Sequence, residues 1–243
     1  MRIIKLSATD STNTYLRKLS VDESINDYTC IVTEHQTKGR GQMGTIWSSE
    51  AGKNLVFSVF KDCKALKMDH TFFISVLTSL SILSSLRKMN ISNLSIKWPN
   101  DILSDKKKIC GILIENIIKN NKLNSSIIGI GINVNQTNFE NLPNATSLKL
   151  LTGRNFNTDE LLIFILNELK SNFNAFSIEK IELLKKNYES HLFRINKPST
   201  FKDVKGQTFP GYIKGITNSG KLNVLLEDEI IQEFDLKEIS LLI

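Results

Sequence analysis

Residues 34–47, EHQTKGRGQMGTIW, set glycines at 39, 41 and 44 around two cations, Lys38 and Arg40. Glycine permits left-handed or close-approach backbone. A glycine-rich loop with basic side chains offers backbone N–H groups and positive charge to an anion, most often a phosphate. Trp47, at the end of the loop, adds a large flat surface that could close over a ligand. A second stretch, KWPND at 97–101, places Asn100 and Asp101 just after a strand stopped by Pro99, where binding residues commonly lie. Lys97 can contact phosphate, and Asp101 can accept from a ligand or hold a hydrated Mg²⁺. On residue types alone each stretch has a plain alternative: a solvated surface loop for the first, a self-capping Asn-Asp turn for the second.

Two further segments carry a signal. In KKKICGILIEN, 106–116, Lys108 starts an apolar strand and can point into a pocket, while Gly111 allows close approach of a ligand or backbone. Lys106 and Lys107 read as solvated charge at a turn. GIGINVN, 129–135, lacks the third glycine and the following helix of a dinucleotide fingerprint. Gly129 and Gly131 instead suggest a pocket wall kept low, and Asn133 could bond a nucleotide. His35, His70 and His191 share no metal-ligand spacing, so no metal site is expected; Ser48-Ser49 has no nucleophile-elbow context. Cys30, Cys63 and Cys110 form no C-x-x-C pair and are given no chemistry.

The elements that must position these residues can be read from periodicity. Strands are expected at 2–6, 29–35, 54–60, 95–98, 108–118 and 125–135, the last two joined through a turn at KNNK. Ser11-Thr12-Asn13 can cap a helix. Residues 69–89 carry apolar positions at helical spacing, which predicts a helix with one buried stripe, and 158–174 and 178–191 predict two more. After Lys197-Pro198 come short strands with turns at Lys205-Gly206 and Asn218-Ser219-Gly220. The expectation is a domain over 1–195 and a small all-β unit, a barrel, over 196–243. The fold class is α+β with a mixed, largely antiparallel sheet packed with helices.

Composition sets the class. Of 243 residues 41% are hydrophobic and 23% charged, an ordinary globular balance. The apolar run from Ile127 to Val134 is far too short to span a bilayer. MRIIKLSATD does not read as a signal peptide, so a cytoplasmic location with no membrane partner is expected. The net charge is +6, and residues 196–243 hold 6 Lys+Arg against 7 Asp+Glu, so the basic excess lies upstream. That sign fits a nucleotide, a nucleic acid or an acidic protein.

Taken in order, STN at 11–13, the GRG loop ending in Trp47, KWPND, the K-x-x-G-I-L strand from Lys108 and G-x-G-I-N from Gly129 resemble the biotin protein ligase family. The small C-terminal β unit matches as well. The resemblance runs from about Thr9 to the C-terminus, and its specificity comes from five motifs in order. It implies a class II synthetase-like catalytic domain and a two-step reaction: biotin and ATP give biotinyl-5′-AMP, and the acyl group then passes to a lysine of a biotin carrier protein or carboxylase carrier domain. ATP with Mg²⁺ and biotin are the implied ligands, and a homodimer through a sheet edge is a frequent family assembly. The STN segment begins at Ser11, so the shorter, ligase-only class is expected, without DNA binding or repressor activity.

Residue by residue, the resemblance assigns catalysis to Arg40, Lys108 and Asp101. It assigns biotin to Ser11, Thr12, Asn13, Gln36, Gly39, Arg40, Gly41, Trp47, Lys108, Gly111 and Gly131, with Gly111 leaving room for it. Arg40, Gln42, Met43, Trp47, Lys97, Asn100, Asp101 and Asn133 are assigned to ATP. The loop departs from relatives that carry more arginines: Gln42, Met43 and Thr45 stand there, leaving Arg40. Weaker retention of the adenylate is expected, so Gln42→Arg should slow its measured dissociation. A lipoate or octanoate ligase shares fold and chemistry but has a different basic-glycine signature. A nucleic-acid-binding module lacks its expected basic-aromatic stripe. A non-catalytic biotin binder would not need Lys97, Asp101 and Lys108 converging on phosphate.

Overall fold

A computed structural model describes residues 1–140 and 142–242. Twelve strands and five helices are described: β1 Ile3–Thr9, α1 Thr12–Asp22, β2 Cys30–Gln36, β3 Leu55–Asp62, α2 Phe72–Lys88, β4 Leu94–Lys97, β5 Asp101–Ser104, β6 Lys107–Lys119 and β7 Lys122–Ile132. They continue with α3 Leu148–Thr152, α4 Thr158–Ala175, α5 Ile181–Ser190, β8 Pro198–Asp203, β9 Thr208–Ile216, β10 Leu222–Leu225, β11 Ile231–Phe234 and β12 Ile239–Leu241. The short strand β5 and the helix α3 were not expected from the sequence.

The large sheet runs β1-β2-β3-β7-β6-β5-β4. Only β1 and β2 pair in parallel. α1 covers one face, with Leu16 packed on Ile31 and Ile127. α2 and α4 cover the other, where the main apolar cluster lies. The β6–β7 turn is two residues, Asn120 and Asn121, with φ of 51° and 56°. Both lie in the left-handed region, which suits asparagine and the right-handed strand twist.

α2 departs from the single buried stripe. Twelve of its seventeen residues are buried, among them Thr78, Ser79, Ser81 and Ser85. Thr78, Ser81 and Ser85 return their hydroxyls to the carbonyls four residues back, which lets polar residues sit inside a core helix. Residues 68–88 are long and apolar enough to cross a membrane, with a mean hydropathy of 1.2, yet 67% of their most apolar 18-residue window is buried inside the fold.

The C-terminal strands form an antiparallel sheet in the order β11-β10-β9-β8-β12. Among the described residues no hydrogen bonds join β11 to β12, so the sheet is open where a barrel was expected. It is sewn to the rest: Ile195 bridges Ile213, Glu189 accepts from the Ile216 N–H at 2.9 Å, and Trp98 Nε1 donates to the Gly220 carbonyl at 2.9 Å.

Candidate active site

Sheet register explains why the chemistry-bearing residues meet. Directly opposed residues on neighbouring strands share a face. One row across the sheet reads Thr33, Val56, Gly131, Gly111, Asp101 and Lys97. The next reads Ile31, Ser58, Gly129 and Leu113. Each row therefore carries a glycine gap with a polar or charged residue on one side, Asp101 in the first and Ser58 in the second, and an apolar one on the other.

Those gaps are filled by the protein's own side chains. A Cβ at Gly131 would overlap the Trp47 indole, and one at Gly111 would come to 3.0 Å from its ring and 3.2 Å from Lys108 Nζ. A Cβ at Gly129 would overlap the Asn13 amide. The low wall expected from the glycines exists: Trp47 and Lys108 pack over Gly111, which also lines the first of the cavities below. Gly39 lines neither of the two cavities beside Trp47, and it allows close backbone approach, since a Cβ there would strike the Trp47 carbonyl. Trp47 N–H bonds the Gly39 carbonyl at 3.0 Å and Gly41 N–H bonds Thr45 at 2.7 Å, closing the loop into a small hairpin.

Two cavities flank Trp47. The first, about 480 Å³, is lined by Ser11, Thr12, Asn13, Gln36, Arg40, Gly41, Gln42, Met43, Trp47, Asn100, Asp101, Lys108, Gly111 and Gly131 among others. The second, about 520 Å³, is lined by Trp47, Lys97, Asp101, Lys108 and Asn133, and by Phe139, Leu142, Pro143, Asn144, Ala145, Leu241 and Leu242. Ile46, Trp47, Asp101 and Lys108 belong to both. Gln42, Met43 and Asn100, assigned to ATP, line the first of these two cavities and not the second.

The first cavity's polar end is a fixed network. Ser11 caps α1. Gln36 Oε1 accepts from Thr12 N–H at 2.8 Å, and Ser58 Oγ lies 2.7 Å from Thr12 Oγ1 and 2.6 Å from Asn13 Oδ1. Val56, Ile112 and Leu113 supply the apolar middle. Lys108 Nζ stands 2.7 Å from Asp101 Oδ1, held by charge without a directed hydrogen bond, and 5.6 Å from the Trp47 ring centre. Burial holds the Lys97 ammonium below the usual lysine pKa, Lys108 adding to the effect and Asp101 opposing it. Trp47 Nε1 is buried and unpartnered among the described residues, an open donor in the cavity wall.

Two assigned residues turn out to hold the scaffold. Asn133 Nδ2 donates to the Thr146 carbonyl at 3.0 Å and the Lys108 carbonyl at 3.4 Å, and Asn100 Nδ2 donates to the Ile112 carbonyl at 2.8 Å. Sequence reasoning missed Ser58, Glu115, Leu113, Phe139, Leu142 to Ala145 and Leu241-Leu242. Ser58 is a lone polar residue within LVFSVF, and Glu115 with Asn116 interrupts an apolar run, the one signal that could have found them. The three cysteines are free and buried, and burial pushes Cys30 up to about 12. Among the described residues no cluster of three metal-ligating side chains occurs.

The sequence profile of the biotin/lipoate A/B protein ligase family matches residues 6–133. The bifunctional ligase/repressor BirA of Bacillus spizizenii is 30% identical over 83% of this chain and 62% of its own length. That of Escherichia coli is 30% identical over 97% of this chain and 73% of its own length. The chain thus spans about three-fifths of the first Bacillus relative. Among solved structures, the biotin protein ligase from Aquifex aeolicus in complex with biotin and ATP matches with a TM-score of 0.82 at 29% identity, covering 99% of this chain and 98% of that one.

Proposed function

Because the chain belongs to the biotin protein ligases of the biotin/lipoate A/B protein ligase family, we propose that it activates biotin with ATP and passes the biotinyl group to a carrier lysine. The observation that carries this reading is the meeting of two cavities at Lys108, Asp101 and Trp47. The first suits a molecule with a neutral hydrogen-bonding head near Thr12 and Gln36, an apolar body, and an acid end reaching Lys108. The second presents Lys97 and Lys108 to phosphate.

In the first step a biotin carboxylate oxygen bonds the α-phosphorus of ATP, and the bond from that phosphorus to the bridging oxygen breaks, releasing pyrophosphate. Two anions must approach, so fixed positive charge between them stabilises the transition state most. Lys108 stands at the junction, and Arg40 is on the loop above it. In the second step a neutral carrier amine attacks the acyl carbon, AMP leaves with the bonding pair, and the amine loses a proton. Here the protein has to hold the anhydride away from water and admit one lysine. Trp47 and the loop hairpin suit that task. Asp101 is the one carboxylate among the described residues lining either cavity. A single carboxylate fits Mg²⁺ carried in by ATP phosphates, with Asp101 as its protein contact. The carrier is the biotin-accepting domain of a carboxylase, residues 1–195 act as the catalytic unit, and 196–243 are its small all-β appendage.

ATP–pyrophosphate exchange measured with biotin, with lipoate and without acid tests the reading. Exchange with biotin alone is expected. Exchange with lipoate would replace the substrate, and none with either would overturn the activity.

A further inference from the structure

Glu115 stands out as a charge in an apolar row. On β6 it lies opposite Ile127, with Leu113 and Ile117 on the same face, beneath α1. Its side chain is only 19% exposed. A carboxylate so placed costs stability unless it is paired. Its partners come from two different ligand-facing segments. Arg40 Nη2 donates to Oε2 at 2.9 Å and to Oε1 at 3.2 Å. Asn13 Nδ2 donates to Oε2 at 2.8 Å. Arg17 Nη1 stands 4.0 Å from Oε1. One side chain thus ties the α1 start to the glycine-rich loop across the first cavity.

The Arg40 contact uses one end of the guanidinium. Its Nε and Nη1 donors make no hydrogen bond to the described residues, so they remain available to an anion. Arg40 also bridges Ile46 in the loop hairpin, beside Trp47. Fixing Arg40 therefore fixes the loop over the cavity.

We propose that Glu115 is a positioning residue for the activation step: it anchors Arg40 by one guanidinium nitrogen and presents the remaining donors toward the reacting carboxylate and phosphate. The proposal rests on the assignment of Arg40 to that step. Glu115→Gln keeps an acceptor for Asn13 and removes the ion pair, and Glu115→Asp keeps the charge and shortens the reach.

Three readouts test it together: thermal melting, tryptic cleavage after Arg40, and biotin-dependent ATP–pyrophosphate exchange. Glu115→Gln is expected to melt near the parent temperature and keep its KM for biotin. Its cleavage after Arg40 should rise roughly two- to fivefold, the range of a partly exposed ion pair. Its kcat should fall on the order of tenfold, since small misplacement of a positioned group is costly. Glu115→Asp should recover part of kcat. Unchanged cleavage, or unchanged kcat with faster cleavage, in folded Glu115→Gln would overturn the proposal. If the parent protein catalyses no exchange with any acid, the ligase reading fails on that observation. Cleavage then decides the Arg40 anchor alone: faster cleavage supports it, unchanged cleavage overturns it.

Discussion

Lys108 and Asp101 stand 2.7 Å apart where the two cavities meet, and Lys97 lies across the sheet row from Asp101. A cation at that junction matters most when negative charge builds up between carboxylate and phosphate. Lys108→Met should therefore lower the biotin-dependent exchange rate on the order of 10²- to 10³-fold, as loss of one preorganised electrostatic group does. The KM for biotin should move far less; a loss confined to KM would show that Lys108 serves binding alone. Lys97 carries a pH signature. Burial lowers its pKa from the usual 10.5, so its charge is present below the folded value and lost as pH rises through it. The KM for ATP should accordingly climb on the alkaline side, starting below pH 10.5. Lys97→Arg, which stays charged, should flatten that climb. These lysines and Asp101 were legible because strand ends and a glycine-rich loop are marked in sequence. That Asn100 and Asn133 brace backbone was not legible, because an asparagine's partners are fixed by tertiary placement.

The β6–β7 hairpin carries both glycine rows of the site, so its register sets where Gly111 meets Gly131 and Leu113 meets Gly129. A slip of one residue would turn the ligand face over. The turn guards that register with Asn120 and Asn121 at positive φ. Asn121→Val forces a β-branched residue into the left-handed region at a cost of about 1–2 kcal/mol. In a chain of this size that should lower Tm by roughly 2–8 °C in a melting experiment. An unchanged Tm would show that the turn does not hold the register. KNNK between two apolar runs made this hairpin readable in advance. β5 was not, since four residues pinned between a turn and a neighbouring strand owe their pairing to the sheet. Nor was the fuller burial of α2, where serines returning hydroxyls to their own helix look, in sequence, like a polar face.

Across the whole molecule, the C-terminal sheet closes the back of the second cavity. Gly220, at φ 93°, packs so closely on Phe72 that a Cβ would overlap its ring, and its carbonyl takes the Trp98 indole N–H beside Asp101. Leu241 and Leu242 then reach the cavity that holds Lys97 and Lys108. The change of period after Pro198 marked this unit in sequence. Its contact with the site was invisible there, because two terminal leucines carry no chemical signal and are brought to the cavity only by the pairing of β12 with β8. If the sheet serves nucleotide binding, a carboxylate placed at its tip should repel phosphate. Leu242 is 44% exposed, so Leu242→Glu is accommodated without burying the new charge. It should raise the KM for ATP severalfold, an effect that weakens with added salt. Biotin affinity should hold, since no residue beyond Gly131 lines the first cavity. Gly220→Ala, by contrast, should lower Tm by overpacking Phe72 and straining a left-handed backbone. An unchanged KM for ATP in Leu242→Glu, beside a destabilised Gly220→Ala, would restrict the sheet to holding the fold.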